Sequence, residues 1–108
     1  MIEKSLGEFE ELVLLMVAAL HDQAYGVSIL ASLEEKLNKK VNISAIHVAL
    51  KRLENKGFTN SNYGGITSAR GGRRKKFYVI TAAGKKALDK QYVLRTSIYQ
   101  QIPEITFN

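Results

Sequence analysis

Arg70-Gly71-Gly72-Arg73-Arg74-Lys75-Lys76 places five cations on a backbone that two adjacent glycines leave unhindered. That combination suits close approach to the phosphates of a polyanion, along a backbone or a flanking minor groove. An RGG followed by basic residues also occurs in RNA-binding and nuclear-targeting tracts, so the motif alone does not name its partner. Upstream, Ser44, Ala45, Val48, Lys51, Arg52 and Asn55 fall on one face of a helix at 100° per residue, with His47 on its flank. Arginine can bond guanine through two hydrogen bonds, serine can bond a base or a phosphate, and valine and alanine can lie against a thymine methyl. Lys51 suits a phosphate contact. Between Lys39 and Lys76 stand ten basic side chains and one acid, Glu54, whereas residues 1–38 are net acidic and the whole chain is +6. The positive charge thus concentrates where these two groups lie, which favours duplex DNA as partner.

Chemistry of other kinds finds no foothold. The chain has no cysteine and two distant histidines, His21 and His47. Its acids gather at Glu8, Glu10 and Glu11, at a helix start where the helix dipole accounts for them. Nothing pairs a nucleophile with a base or groups metal ligands, so neither an enzyme nor a metal or cofactor is expected. His21 reads as a dipole partner at a helix end, and His47 as a surface or packing histidine.

The elements that must position these residues follow from periodicity. With 108 residues the chain has room for one domain. Ser5-Leu6-Gly7-Glu8 has the form of a capping box, and Phe9, Leu12, Val13, Met16, Val17 and Leu20 give a first helix from Gly7 to His21. Leu14, Leu15, Ala18 and Ala19 make it apolar almost all round, more than one face of a small monomer buries, so a second subunit is expected. A second helix carries Gly26, Ile29, Leu30, Leu33 and Leu37 and ends near Asn38, with Glu34, Glu35 and Lys36 outward. Ser44 would cap a third, with Ile46, Ala49, Leu50 and Leu53 inward and an end at Gly57. Phe58 to Tyr63 and Arg74 to Ile80 read as strands around a loop from Gly64 to Gly72. Thr81 would cap a fourth helix, with Leu88, Tyr92, Tyr99 and Ile102 on one face before Pro103 stops it.

This order predicts a mainly α, α+β fold: a winged helix-turn-helix with an additional C-terminal dimerisation helix. Residues 1–81 would form the winged-helix domain, 82–102 the dimerisation helix and 103–108 a flexible tail. The DNA-binding set is then Ser44, Ala45, His47, Val48, Lys51 and Arg52 on the helix, with Arg70, Arg73, Arg74 and Lys75 on the wing. A homodimer through the first and fourth helices would leave Phe9, Met16, Tyr92 and Tyr99 as lining for an effector pocket between subunits. A winged-helix module that contacts protein or RNA, or a chain that works mainly as a small-molecule sensor, are alternative readings of the same elements. The longest apolar run, Leu12 to Leu20, is nine residues, well under the roughly 20 needed to span a bilayer. With acids dominating the N-terminus, a cytoplasmic location is expected.

Five segments carry a resemblance to the PadR family of bacterial transcriptional regulators. Leu6 to Leu15 is similar to that family's opening helix, Ala24 to Ile29 to the start of its second helix, and Ile43 to Gly57 to its recognition helix. Arg70 to Arg73 resembles its wing, and Phe77 to Gly84 the beginning of its last helix. The resemblance spans about residues 6 to 90 and implies a dimeric repressor, often of transporter or detoxification genes, released by a small and commonly aromatic effector. The chain has His47 where the family usually has tyrosine. It ends after one C-terminal helix and so resembles the short subgroup.

Overall fold

Three helices, a two-stranded hairpin and a long fourth helix follow one another along the chain. They are α1 (Glu8–Leu20), α2 (Gly26–Leu37), α3 (Ile43–Asn55), β1 (Thr59–Tyr63), β2 (Lys76–Ile80) and α4 (Ala82–Gln100), with a 3-10 turn at His21–Gln23 between α1 and α2. The computed structural model describes residues 5–64 and 74–107. Most of the Gly64 to Gly72 loop, with Arg70 and Arg73, lies outside the described residues.

Each of the first three helices turns one apolar stripe inward. Val13, Leu14 and Val17 of α1, Ile29 and Leu33 of α2, and Ile46, Ala49, Leu50 and Leu53 of α3 meet in one core with Ala24, Phe58, Tyr78 and Leu88. Burying a large aliphatic side chain stabilises by roughly 1.5–3 kcal/mol, so these stripes fix how the helices cross. Glu34 is not simply outward: it is half-buried, and its carboxylate accepts the Val41 N–H at 2.9 Å, tying α2 to the approach to α3.

Helix ends depart from the sequence reading in two places. The cap of α1 is Gly7, and Glu10, not Glu8, reaches back to accept the Gly7 N–H at 3.1 Å. Glycine has no side chain to return the second bond, so this is half a capping box, set two residues later than Ser5 and Glu8 would have put it. The cap of α3 is Asn42, whose side chain accepts the Ser44 N–H at 2.7 Å. Ser44 is therefore the second residue of the helix. Asn38, at φ 54°, closes α2 in the left-handed conformation that asparagine tolerates.

Gly57 turns the chain out of α3 at φ 81°, and the Phe58 N–H bonds back to Leu53 O at 2.9 Å. Phe58 is thus spent on the helix terminus, and the strand begins at Thr59. The pairing runs antiparallel from Thr59 opposite Ile80 to Tyr63 opposite Lys76, so Arg74 and Lys75 precede β2. Thr81 caps α4 as expected: its hydroxyl accepts the Gly84 N–H at 3.0 Å and donates to Gly57 O at 2.7 Å.

The fourth helix is anchored at one end only. Gly84 lies so close to the residue before β1 that a Cβ there would stand 2.2 Å from Phe58 O, and Leu88 enters the core. Glu11 of α1 meets Arg95 at 3.3 Å and Gln91 at 3.4 Å. Away from these contacts, Tyr92, Leu94, Ile98, Tyr99 and Ile102 are exposed, as is Leu15 on α1. Among the described residues, no helix is long and apolar enough to cross a membrane.

Candidate nucleic-acid interface

The third helix divides cleanly in two. Ile46, Ala49, Leu50 and Leu53 are buried, whereas Ser44, Ala45, His47, Val48, Lys51, Arg52 and Asn55 are exposed. Val48 is an apolar residue left 49% exposed among polar neighbours, as a side chain that meets a thymine methyl would need to be. The Asn42 cap leaves the first turn of α3 projecting with Ser44 and Ala45 on it, the part of a recognition helix that lies nearest base edges.

His47 stands at the edge of this face and reaches across to α2. Its imidazole lies against Gly26, where an added Cβ would come within 3.0 Å of Cε1. A small residue at the start of α2 thus lets the flank of α3 settle there.

The wing meets the helices through the segment between the 3-10 turn and α2. Tyr25 forms an isolated antiparallel bridge with Phe77, and the Tyr78 N–H donates to Ala24 O at 2.8 Å. The two rings meet edge to face, centroids 5.4 Å apart at 83°. Above the Tyr25 ring, 4.3 Å from its centroid, sits the Lys75 ammonium, attracted by the negative ring face. Lys76 lies near the Tyr63 and Tyr78 rings, at 6.0 and 5.7 Å. Arg74 and Lys75 are exposed beside these aromatics. Neither Tyr25 nor Phe77 stood out as a site residue in the sequence, although a lone tyrosine before α2 and the aromatic pair in β2 were the available signal.

One cation of the basic block faces elsewhere. Lys56 donates to Glu10 at 2.5 Å and to Ser5 O at 2.7 Å, so it ties α3 to the start of α1. Burial by itself raises the Glu10 pKa, but the hydrogen bonds from Lys56 and the Gly7 N–H, with the charges of Lys56 and Arg52, outweigh it and hold the carboxyl below its ordinary value.

The residues suggested for an effector are spread out in the single subunit. Phe9 lines a cleft of about 380 Å³ with Leu12, Leu37, Lys39, Lys40 and Val41. Met16 is half-buried beside the core, and Tyr92 and Tyr99 are 70% and 74% exposed on α4. One chain does not gather these four into an enclosed space.

Comparison with known proteins converges on one family. No curated protein matches the chain. A PadR family transcription regulator from Clostridium difficile R20291 superposes with a TM-score of 0.70 at 26% identity, over 87% of this chain and 93% of that one. A Streptococcus mutans UA159 protein does so with a TM-score of 0.62 at 29% identity, over 92% and 87%. RosR of H. salinarum shares the fold, with a TM-score of 0.69 at 23% identity over 93% and 83%. The profile of the Transcriptional regulator PadR-like family matches residues 14–90. This winged-helix chain belongs to the PadR-like family of transcriptional regulators, and not to an enzyme family.

Proposed function

We propose that the chain is a homodimeric, sequence-specific repressor that inserts α3 into the major groove of duplex DNA and lays its wing along the flanking backbone. The observation that carries this reading is the exposed face of α3, where Ser44, Ala45, Val48, Lys51 and Arg52 project while the opposite side is sunk in the core. Arg52 and Ser44 would read base edges, Val48 and Ala45 thymine methyls, and Lys51 a phosphate. His47 lies where α3 adjoins α2 and serves at the edge of the groove. On the wing, Arg70, Arg73, Arg74 and Lys75 supply affinity through phosphates, without reading sequence.

Residues 1–81 form the DNA-binding unit in this reading, residues 82–102 the dimerisation helix and residues 103–108 a tail beyond it. Tyr92, Leu94, Ile98 and Tyr99 of α4, Ile102 just past its end and Leu15 of α1 are exposed apolar side chains, a surface that a second copy would cover. A two-fold dimer calls for a roughly palindromic operator. Closure of the dimer would also bring Phe9 and Met16 towards Tyr92 and Tyr99, giving a small aromatic effector a place from which to shift the spacing of the two recognition helices. Release of DNA on binding such a molecule is the regulatory step proposed.

Selection from a randomised duplex pool, followed by titration of variants, tests the assignment. Arg52→Ala is expected to relax base preference. Arg74→Ala is expected to weaken binding to all sequences alike and to flatten the salt dependence by about 0.9 in slope for each phosphate no longer neutralised. Selection of no preferred sequence, or an Arg52→Ala protein with unchanged preference, would refute it.

A further inference from the structure

Tyr25 sits where the wing, the start of α2 and the flank of α3 come together, and it lies outside the base-reading face. Its backbone and that of Ala24 run along the outer edge of β2, through the bridge to Phe77 and the 2.8 Å bond from the Tyr78 N–H to Ala24 O. Its ring abuts Phe77 edge-on and carries the Lys75 ammonium 4.3 Å from its centroid. The next residue, Gly26, lies against His47 of α3. A single side chain therefore contacts a cation of the wing and an aromatic of β2, at the point where α2 braces the recognition helix.

Two strands alone make a marginal ribbon that gains rigidity only by packing on something else. Among the described residues the sheet consists of β1 and β2 alone, so the Ala24–Tyr25 edge is a separate restraint on the hairpin's angle. The restraint is chemically selective too. A lysine carries its charge on a flexible stem, and a ring face beneath it narrows the positions that the charge explores.

We propose that Tyr25 is the positioning residue of the wing: it sets the hairpin against the helix-turn-helix and holds Lys75 in place for a backbone phosphate, so that α3 and the wing engage one duplex in register. This rests on the DNA-binding reading above, and the test separates the two.

The variants are Tyr25→Phe, which keeps the ring face and the edge contact, and Tyr25→Leu, which keeps apolar bulk but loses both. They are compared in the full-length protein alone and combined with Lys75→Ala. Titrations against the selected duplex at several salt concentrations should show Tyr25→Phe close to the parent. Tyr25→Leu should bind more weakly to every sequence, with a salt slope smaller by about 0.9 per subunit. Lys75→Ala should reduce the slope by a similar amount in the parent and by nothing further in the Tyr25→Leu background, which is the signature of coupled residues. Hydrogen exchange without DNA gives an independent reading: amides of Lys76 to Ile80 should exchange faster in Tyr25→Leu, while those of α3 stay protected. Parent-like binding and exchange in Tyr25→Leu, or an equal effect of Lys75→Ala in both backgrounds, would overturn the role of Tyr25 while leaving the DNA reading intact. Failure of the parent protein to bind any duplex would overturn the DNA reading, and with it Lys75 as a phosphate contact.

Discussion

Glu10 and Lys56, one near the start of α1 and the other just past the end of α3, meet at 2.5 Å. The Glu10 side chain is only 11% exposed and also holds the Gly7 N–H, so one carboxylate closes α1 and fastens α3 to it. Its pKa is depressed in the fold, so its contribution to stability is complete well above the ordinary carboxylate value of 4.5 and disappears as pH falls through the lower, folded value. Glu10→Gln is expected to lose about 1–3 kcal/mol near neutral pH. Thermal melts of parent and variant should converge as pH drops below 4.5. A stability gap that persists undiminished well below that pH would contradict the pairing.

Lys56 belongs to the positively charged block yet is engaged by Glu10 and Ser5. Lys56→Met should therefore lower the melting temperature while leaving the salt slope of DNA binding unchanged. The same change at Lys51, which is exposed on α3, should do the reverse. Equal salt slopes in these two variants would show that the surface has been divided wrongly.

Thr59 is 1% exposed, and its hydroxyl has no hydrogen-bond partner among the described residues. Valine has nearly the same shape without the polar atom. Thr59→Val is thus expected to stabilise the protein by about 1 kcal/mol, because an unsatisfied buried hydroxyl is removed. Urea unfolding measures this directly, and a loss of stability would mean that the hydroxyl is satisfied in solution.

Gly84 allows α4 to lie against the hairpin. A methyl there would meet Phe58 O at 2.2 Å and Ile80 Cγ1 at 2.9 Å, and the first of these is backbone that cannot swing away. Gly84→Ala, normally favourable within a helix, is expected instead to cost roughly 1–3 kcal/mol through overpacking. A variant as stable as the parent would show that α4 docks differently.

The exposed apolar residues of α4 bear on assembly. Leu94 and Ile98 are 53% and 56% exposed, positions where charge is harmless unless a partner covers them. Leu94→Glu with Ile98→Glu should turn the proposed dimer into a monomer in sedimentation velocity, with helical content retained. A dimer that survives both changes would place the interface elsewhere.

Helices and hairpin were legible because each declares itself locally. The stripe of Ile46, Ala49, Leu50 and Leu53 marks α3, and the aromatic run from Phe77 marks β2. Caps were harder: Asn42 and Ser44 are both good capping residues two positions apart, and the chain's path into α3 decides between them. Glu10 read as a dipole residue because its partner Lys56 is 46 positions away. The link from Tyr25 to Phe77 and Lys75 was invisible for the same reason, since a single bridge leaves no alternating pattern to read. The exposed face of α3 needed only helical periodicity, whereas its junction with the wing required the fold.

In the proposed mode of binding, α3 reads sequence while the wing supplies charge. Anisotropy titrations of the selected palindromic duplex and a scrambled duplex of equal composition, at several salt concentrations, test it most directly. Binding to the selected duplex is expected to be at least roughly a thousandfold tighter at physiological salt, with both affinities falling steeply as salt rises. Equal affinity for the two duplexes, or affinity that salt does not alter, would contradict it.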